Sequence, residues 1–345
     1  MPPTPLRIGF LHLGDPRGGV HRYGKLLADA MRRQPGVEVV ERSADGAPFA
    51  LAGAIAPLRR ADVAVVQYSR HHTWAPGRVR LLQLLLTHLY LRRRSIVVLH
   101  DVSEPGTSGR VEEWALGLNL RMARHVVVHT THERDRLAHR GPTRRVATIP
   151  HFVEARRLPD REAARHRFDA RPDDMLLGMV GWIHARKNQR AAVETLALLG
   201  PSARLWLIGA AAADHEWYAR ELRRLADDLG VGDRFEITGY LSDDDLDARL
   251  AALDVGLCPY TDASASGSFA TLIASGRPIV ATDLQAFRDQ QQHVGKRVRL
   301  VAQPTPERLA TAVREVGAEA NGRGADPPPE LSPDAVARRY LELVR

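Results

Sequence analysis

Three residue types are scarce in this chain, and each scarcity removes a class of function. Of 345 residues, one is cysteine, Cys258. A single thiol makes no internal disulfide and leaves no pair for a cysteine-based zinc site, so a reducing compartment is expected. Lysine occurs three times, at 25, 187 and 296, against 46 arginines. The formal charge of +8 and the pI of about 10.1 are therefore carried by arginine. Aromatics make up 6%, which offers few stacking platforms for a nucleic acid. The arginines are spread along the chain, and a genome-wide composition bias explains them better than a nucleic-acid interface. Each lysine consequently stands out. Long apolar runs are also missing: Leu84–Leu86 is cut by Thr87 and His88, far short of the ~18 residues of a membrane span. The start, Met1-Pro2-Pro3-Thr4-Pro5, lacks the basic and apolar regions of a signal peptide. The expected location is cytoplasmic, or peripheral at the inner face of a membrane.

What is present is strand–helix alternation. At 44% hydrophobic, the chain can bury about two domain cores. Short apolar, β-branched runs predict six strands in the first half: Arg7–Leu13, Val37–Arg42, Val63–Gln67, Ile96–His100, His125–His129 and Val146–Ile149. Six more follow, at Met175–Val180, Arg204–Ile208, Phe235–Thr238, Val255–Leu257, Ile279–Ala281 and Val298–Val301. Unbroken apolar strands separated by amphipathic helices predict parallel, doubly wound α/β sheets covered on both faces. A polar stretch between Pro150 and Met175 reads as a connection with one short helix, and Asn321–Glu330 as a second linker. Ser332-Pro333 then caps a last helix with Val336, Tyr340 and Leu343 on its apolar face. The expected division is residues 1–155, 156–330, and a crossover helix 331–345 returning to the first domain.

Several turns could carry chemistry. Gly14 ends the first strand, and Arg17-Gly18-Gly19 precedes a helix over Val20–Met31. Glycines there admit an anion to backbone N–H groups, although an ordinary tight turn is equally served, and no G-x-G-x-x-G fingerprint is present. Gly181-Trp182-Ile183-His184-Ala185-Arg186-Lys187-Asn188 leads into a helix expected to begin at Lys187. A cation at a helix start opposes the helix dipole unless a phosphate sits beside it; a solvated surface lysine is the plainer alternative. Ser264-Ala265-Ser266-Gly267-Ser268 precedes a helix over Phe269–Ser275 and could cradle a second anion or simply cap the helix.

Taken with Ser275-Gly276-Arg277-Pro278-Ile279-Val280-Ala281-Thr282-Asp283, these segments resemble the family-4 glycosyltransferases of GT-B architecture. The resemblance also rests on Gly18-Gly19, His100-Asp101, Ile149-Pro150-His151, Leu207-Ile208-Gly209, Gly239-Tyr240-Leu241-Ser242 and Tyr340-Leu341-Glu342-Leu343. It implies two Rossmann-like domains facing a cleft, an N-terminal acceptor side and a C-terminal nucleotide-sugar side. It further implies His100 as the residue at the reacting centre, with Gly18, Gly19, Asp101, Trp182, His184, Lys187, Tyr240, Leu241, Ser266, Gly267, Ser268 and Thr271 contacting substrate. Two family glutamates are replaced, by Ala263 and Thr271, and a frequent family arginine by Trp182.

The implied activity is transfer of a sugar from a nucleotide-diphosphate sugar, a co-substrate rather than a cofactor, to a hydroxyl of a small natural product or glycan. Retention and independence of metal are part of that implication. A non-catalytic nucleotide-sugar or polysaccharide-binding protein on the same fold, or a GT-B-like epimerase, are the alternatives. His129 and His132 have a metal-like spacing without a third ligand. Arg78–Arg94, apolar in the middle with arginines at both ends, reads first as a buried helix feeding the next strand and second as a weak peripheral contact with an anionic membrane.

Overall fold

The computed structural model describes residues 4–13, 18–44, 48–69, 77–91, 94–102, 110–138, 145–211, 215–319 and 326–344. Gly14, Arg17 and the first part of the Asn321–Glu330 linker lie outside them. The chain divides into two units, Met1–Phe152 with Pro329–Arg345, and Val153–Pro328.

The first unit holds β1 (Leu6–Leu13), α1 (Gly19–Arg32), β2 (Val37–Ala44), α2 (Pro48–Leu58), β3 (Val63–Tyr68), α3 (Gly77–Tyr90), β4 (Ser95–Leu99), α4 (Arg110–Met122), β5 (His125–Val128), α5 (Thr131–Ala138) and β6 (Val146–Thr148). Its six strands form one sheet in the order β2-β1-β3-β4-β5-β6, parallel throughout. Strands β3 and β4 are buried at every residue, because helices cover both faces. One face packs Ile8, Phe10, Val65 and Val98 against α1; the other packs Leu11, Val66 and Val97 against Leu51, Leu58 and Leu84. Alternate residues of a strand point to opposite faces, so a strand feeding two cores reads as one continuous apolar run.

The second unit holds α6 (Arg161–Arg167), β7 (Met175–Val180), α7 (Gln189–Leu198), β8 (Ala203–Ile208), α8 (Glu216–Asp228), β9 (Phe235–Ile237), α9 (Asp243–Ala252), β10 (Val255–Cys258), α10 (Gly267–Ala274), β11 (Ile279–Thr282), α11 (Gln285–Val294), β12 (Val298–Val301) and α12 (Pro306–Glu319). Its parallel sheet runs β12-β11-β10-β7-β8-β9. The stretch before β7 is held by arginines: Arg156 pairs with Asp243 and Asp247, and Arg165 with Asp254. The acids of the first turn of α9 thus serve both the helix dipole and these pairs. Ser242 caps α9 by accepting from the Asp245 N–H.

The last helix, α13 (Pro333–Glu342), starts at Ser332, whose hydroxyl accepts from the Ala335 N–H. Val336, Ala337, Tyr340 and Leu341 join the core built by Ile8, Phe10, Leu27 and Met31, and the Tyr340 and Tyr23 hydroxyls meet at 3.2 Å.

One expected element is placed differently. Lys187 does not begin a helix. It closes a single 3₁₀ turn over Ala185–Lys187, the chain turns at Asn188 in the left-handed region, and α7 begins at Gln189. The competing feature is the His184 side chain, which accepts from the Arg186 N–H and caps this short turn instead. Gly267 and Ser268 likewise fall inside the first turn of α10 rather than before it.

Candidate functional site

In the second sheet, strand order reverses between β7 and β10. Ligands of open α/β sheets sit at such a switch point, beyond the carboxyl ends of the strands. The loops leaving β7 and β10 are those carrying Gly181–Lys187 and Pro259–Ser268, and here they touch. The Lys187 ammonium donates to the Ser268 Oγ at 2.9 Å and to the Val180 carbonyl at 3.1 Å, and it lies 5.6 Å from the centre of the Tyr260 ring. Among the described residues no carboxylate pairs with it. Burial lowers its pKa to about 8, with the nearby Cys258 opposing and Arg186 adding to the drop. Burial likewise pushes the Cys258 thiol up to about 12, so it is no counter-anion. A cation desolvated without an anion costs free energy, and the amine donates only to neutral oxygens.

Two glycines permit this approach. Gly181 has φ +98°, and a Cβ there would run into the Ser268 hydroxyl and the Lys187 amine. Gly209, φ +152°, sits at the end of β8 with the Gly181 carbonyl where its Cβ would be. We therefore expect Gly181→Ala to cost about 1–3 kcal/mol from backbone strain and to separate Lys187 from Ser268. Urea unfolding measures the first effect, and a crystal structure of the variant the second. Unchanged stability and an unchanged Lys187–Ser268 contact would contradict this packing.

Around this contact, α10 presents its first turn, capped by Ser266, whose Oγ accepts from the Phe269 N–H at 3.2 Å. The Thr271 hydroxyl is committed to the Gly267 carbonyl at 2.9 Å. His184 stacks on His215, ring centroids 4.2 Å apart, and the Trp182 carbonyl accepts a long bond from Gln189. Tyr240 is exposed and Leu241 half-buried, both beyond β9. The structure thus joins Gly181, Lys187 and Ser268 directly; among the described residues, Tyr240 and Leu241 make no hydrogen bond or ring contact with them.

The first unit has its own switch point, between β1 and β3. Gly18 caps α1 and Gly19 opens it. His100 follows β4, its Nε2 2.7 Å from the Gln67 Oε1 at the end of β3, and Ser69 donates to Asp101 at 2.7 Å. His100 also packs with Tyr23 and His129, ring centroids 4.9 and 5.0 Å away, while His129 meets His151 at 5.4 Å. The His129 Nδ1 lies 3.0 Å from the Ile149 carbonyl. Among the described residues no group of three or more His, Cys, Asp or Glu is disposed to hold a metal ion.

Burial lowers the pKa of His129 to about 3 and of His151 to about 4. Both are held neutral when folded and titrate near 6.5 when unfolded, so their contribution is intact above pH 6.5 and lost as pH falls toward 4. We expect the unfolding free energy of the first unit, measured in urea, to drop over that interval by about 1.4 kcal/mol per pH unit for each excluded proton. His129→Gln should flatten the slope; an unchanged slope in that variant would contradict the assignment.

Sequence reasoning missed Gln67, Tyr260 and His215. Gln67 and Tyr260 carry a local hint, a polar or aromatic side chain at the carboxyl end of an apolar strand; His215 has none.

Comparison with known proteins adds a family. Residues 174–318 match the family model described as glycosyl transferases group 1. A 2-deoxystreptamine glucosyltransferase of Streptomyces kanamyceticus is 30% identical over 245 residues, covering 67% of this chain; the match spans 58% of that relative's length. The Anabaena protein HepE, solved with UDP and glucose, superposes with a TM-score of 0.75 at 17% identity, covering 98% of each chain. Sucrose-phosphate synthase of Thermosynechococcus elongatus superposes with a TM-score of 0.75 at 16% identity, also covering 98% of each. At those identities the superpositions speak for the fold. The second unit is therefore similar in sequence to the group 1 glycosyl transferases, and the chain has the GT-B fold, two Rossmann-like units of parallel sheet.

Proposed function

We propose that the chain is a glycosyltransferase that takes a hexosyl group from a nucleotide-diphosphate sugar and places it on an acceptor hydroxyl. The observation that carries this reading is the partly desolvated Lys187 amine, which has no counter-anion among the described residues where the loops after β7 and β10 meet. A diphosphate supplies the missing charge. Lys187, the Ser268 hydroxyl and the first N–H groups of α10 would bind its oxygens and stabilise the charge that develops as the sugar leaves. Tyr240 and Leu241 would border the nucleoside, and Trp182, His184 and Thr271 the rest of the donor. His100, oriented by Gln67, would face the transferred sugar, with Gly18, Gly19 and Asp101 on the acceptor side. The configuration would be retained by front-face displacement, the leaving phosphate oxygen accepting the acceptor's proton as the new glycosidic bond forms. Lys187 would take the place of a metal ion, so chelators would leave the rate unchanged. The single, buried thiol suits a cytoplasmic setting.

The name of the Streptomyces relative makes 2-deoxystreptamine the first acceptor to try, and the HepE structure with UDP-glucose makes that the first donor. Mass spectrometry of the product and its anomeric coupling by NMR test transfer and retention. Ala263 and Thr271 stand where the family has carboxylates, and Thr271 already bonds Gly267, which favours a second reading as a nucleotide-sugar-binding protein. Donor binding without transfer or donor hydrolysis, across a panel of nucleotide-sugars and acceptors, would establish that reading in place of the first.

A further inference from the structure

Helix α3 turns only one side to the core. Gln83, Leu84, Thr87 and His88 are buried, whereas Leu82, Leu86 and Leu89 are 56%, 53% and 55% exposed. Spacings of four and three put these leucines on one stripe of the helix. Tyr90 is exposed beside them, and Trp114, 67% exposed, stands on α4, which packs against α3. Among the described residues, five of nine exposed large apolar side chains fall on this helix pair. Singly scattered exposed apolar residues need no explanation, but a cluster does.

The charge around that cluster is uneven. Residues 51–100, which include α3, hold eight arginines and one acid, Asp62, so a formal +7 lies in fifty residues of a chain whose total is +8, while α4 is neutral, with Glu112 and Glu113 beside Trp114 balanced by Arg110 and Arg121. Arg78 and Arg80 fall in the first turn of α3, and Arg92, Arg93 and Arg94 follow it in sequence. The Arg59 guanidinium lies 5.6 Å over the Tyr90 ring; Arg60 and Arg94 are exposed. The composition bias that spreads arginine through the chain does not account for the missing acids here.

We propose that this face docks on an anionic bilayer. The leucines and Trp114 enter the boundary between headgroups and acyl chains, and Arg59, Arg60 and Arg94 meet lipid phosphates, the pattern of an interfacial amphipathic helix. At 14 residues α3 is about 21 Å long, and no described helix is long and apolar enough to cross a membrane, so the helix lies on the surface. A second copy is the poorer occupant, because pairing this face with itself brings two arginine-rich, acid-poor stretches together. A nucleic acid is poorer too, since three of the five exposed side chains are leucines, which give bases nothing to stack on. The inference rests on the first unit alone and does not depend on the donor reading.

The test is co-sedimentation of the full chain with phosphatidylcholine vesicles, with and without about one-third phosphatidylglycerol. The expected result is binding at least about tenfold tighter to the anionic vesicles, weakened by added salt. Leu86→Ser/Leu89→Ser and Arg59→Glu/Arg94→Glu should each lose about tenfold or more with unchanged melting temperature. No preference for anionic vesicles, or wild-type binding by the leucine variant, would overturn the proposal. So would a wild-type dimer in sedimentation velocity that the leucine variant dissolves, which assigns the face to a second copy.

Discussion

Replacing Lys187 by methionine should weaken binding of a nucleoside diphosphate by about 10- to 150-fold, equivalent to about 1.5–3 kcal/mol for a charge-assisted hydrogen bond in a desolvated site. The same change should leave the unliganded protein as stable as before, or more stable. Lys187 is half-buried and its amine meets neutral oxygens, so exchanging a partly desolvated charge for an apolar side chain of similar length removes part of a desolvation cost. The two effects thus have opposite signs, which a merely structural lysine would not show. The pH dependence follows from the same burial. Binding of an anion needs the protonated amine, whose pKa is lowered to about 8 in the free protein. Affinity should therefore fall as pH rises through 8, by up to about tenfold per unit, separately from any decline below about pH 7 that comes from protonation of the terminal phosphate of UDP, whose second pKa is about 6. Titration calorimetry with UDP at several pH values reads the effects on binding, and urea unfolding of the unliganded variant reads the effect on stability. A flat profile to pH 9.5 in the wild type, or equal affinity in the variant, would remove Lys187 from the site.

Removing α13 should unfold the first unit while sparing the second. Val336, Ala337 and Tyr340 are fully buried in the core made by β1, β3 and α1. Tyr340→Ala alone should cost about 3–5 kcal/mol, the usual range for a buried aromatic. Losing the whole apolar stripe of the helix exceeds the margin of a typical domain, about 5–15 kcal/mol. Truncation after Leu331 should therefore abolish the cooperative transition of the first unit, as followed by hydrogen exchange at β1 and β3, with protection of β7 and β8 retained. Native protection at β1 in the truncated protein would show that the helix is dispensable there.

The architecture was legible because the strands feed two cores at once. Val63–Tyr68 and Ser95–Leu99 are buried at every position, and such runs signal a covered parallel sheet whatever the register. The Ser332 and Ser242 caps were legible for a local reason, a hydroxyl three residues before the N–H it accepts from. Lys187 was legible by rarity, but for a cause the structure corrects. It does not oppose a helix dipole; its strain comes from burial against Val180 and Ser268. Its partner Ser268 lies 81 residues on, and only the strand order β10-β7 brings the two loops together. Tyr260 and Gln67 carried a local hint at the ends of apolar strands, but that Tyr260 lies beneath the amine and Gln67 beside His100 follows only from the strand order. The half-exposed state of α3 was ambiguous because its sequence is apolar on more than one side, and only packing decided which leucines stay outside.

The most direct test of the donor site is a crystal structure with UDP-glucose bound. The account predicts diphosphate oxygens within hydrogen-bond distance of the Lys187 Nζ and the Ser268 Oγ, at the N-terminus of α10. A nucleotide bound elsewhere, with Lys187 still joined only to Val180 and Ser268, would contradict it.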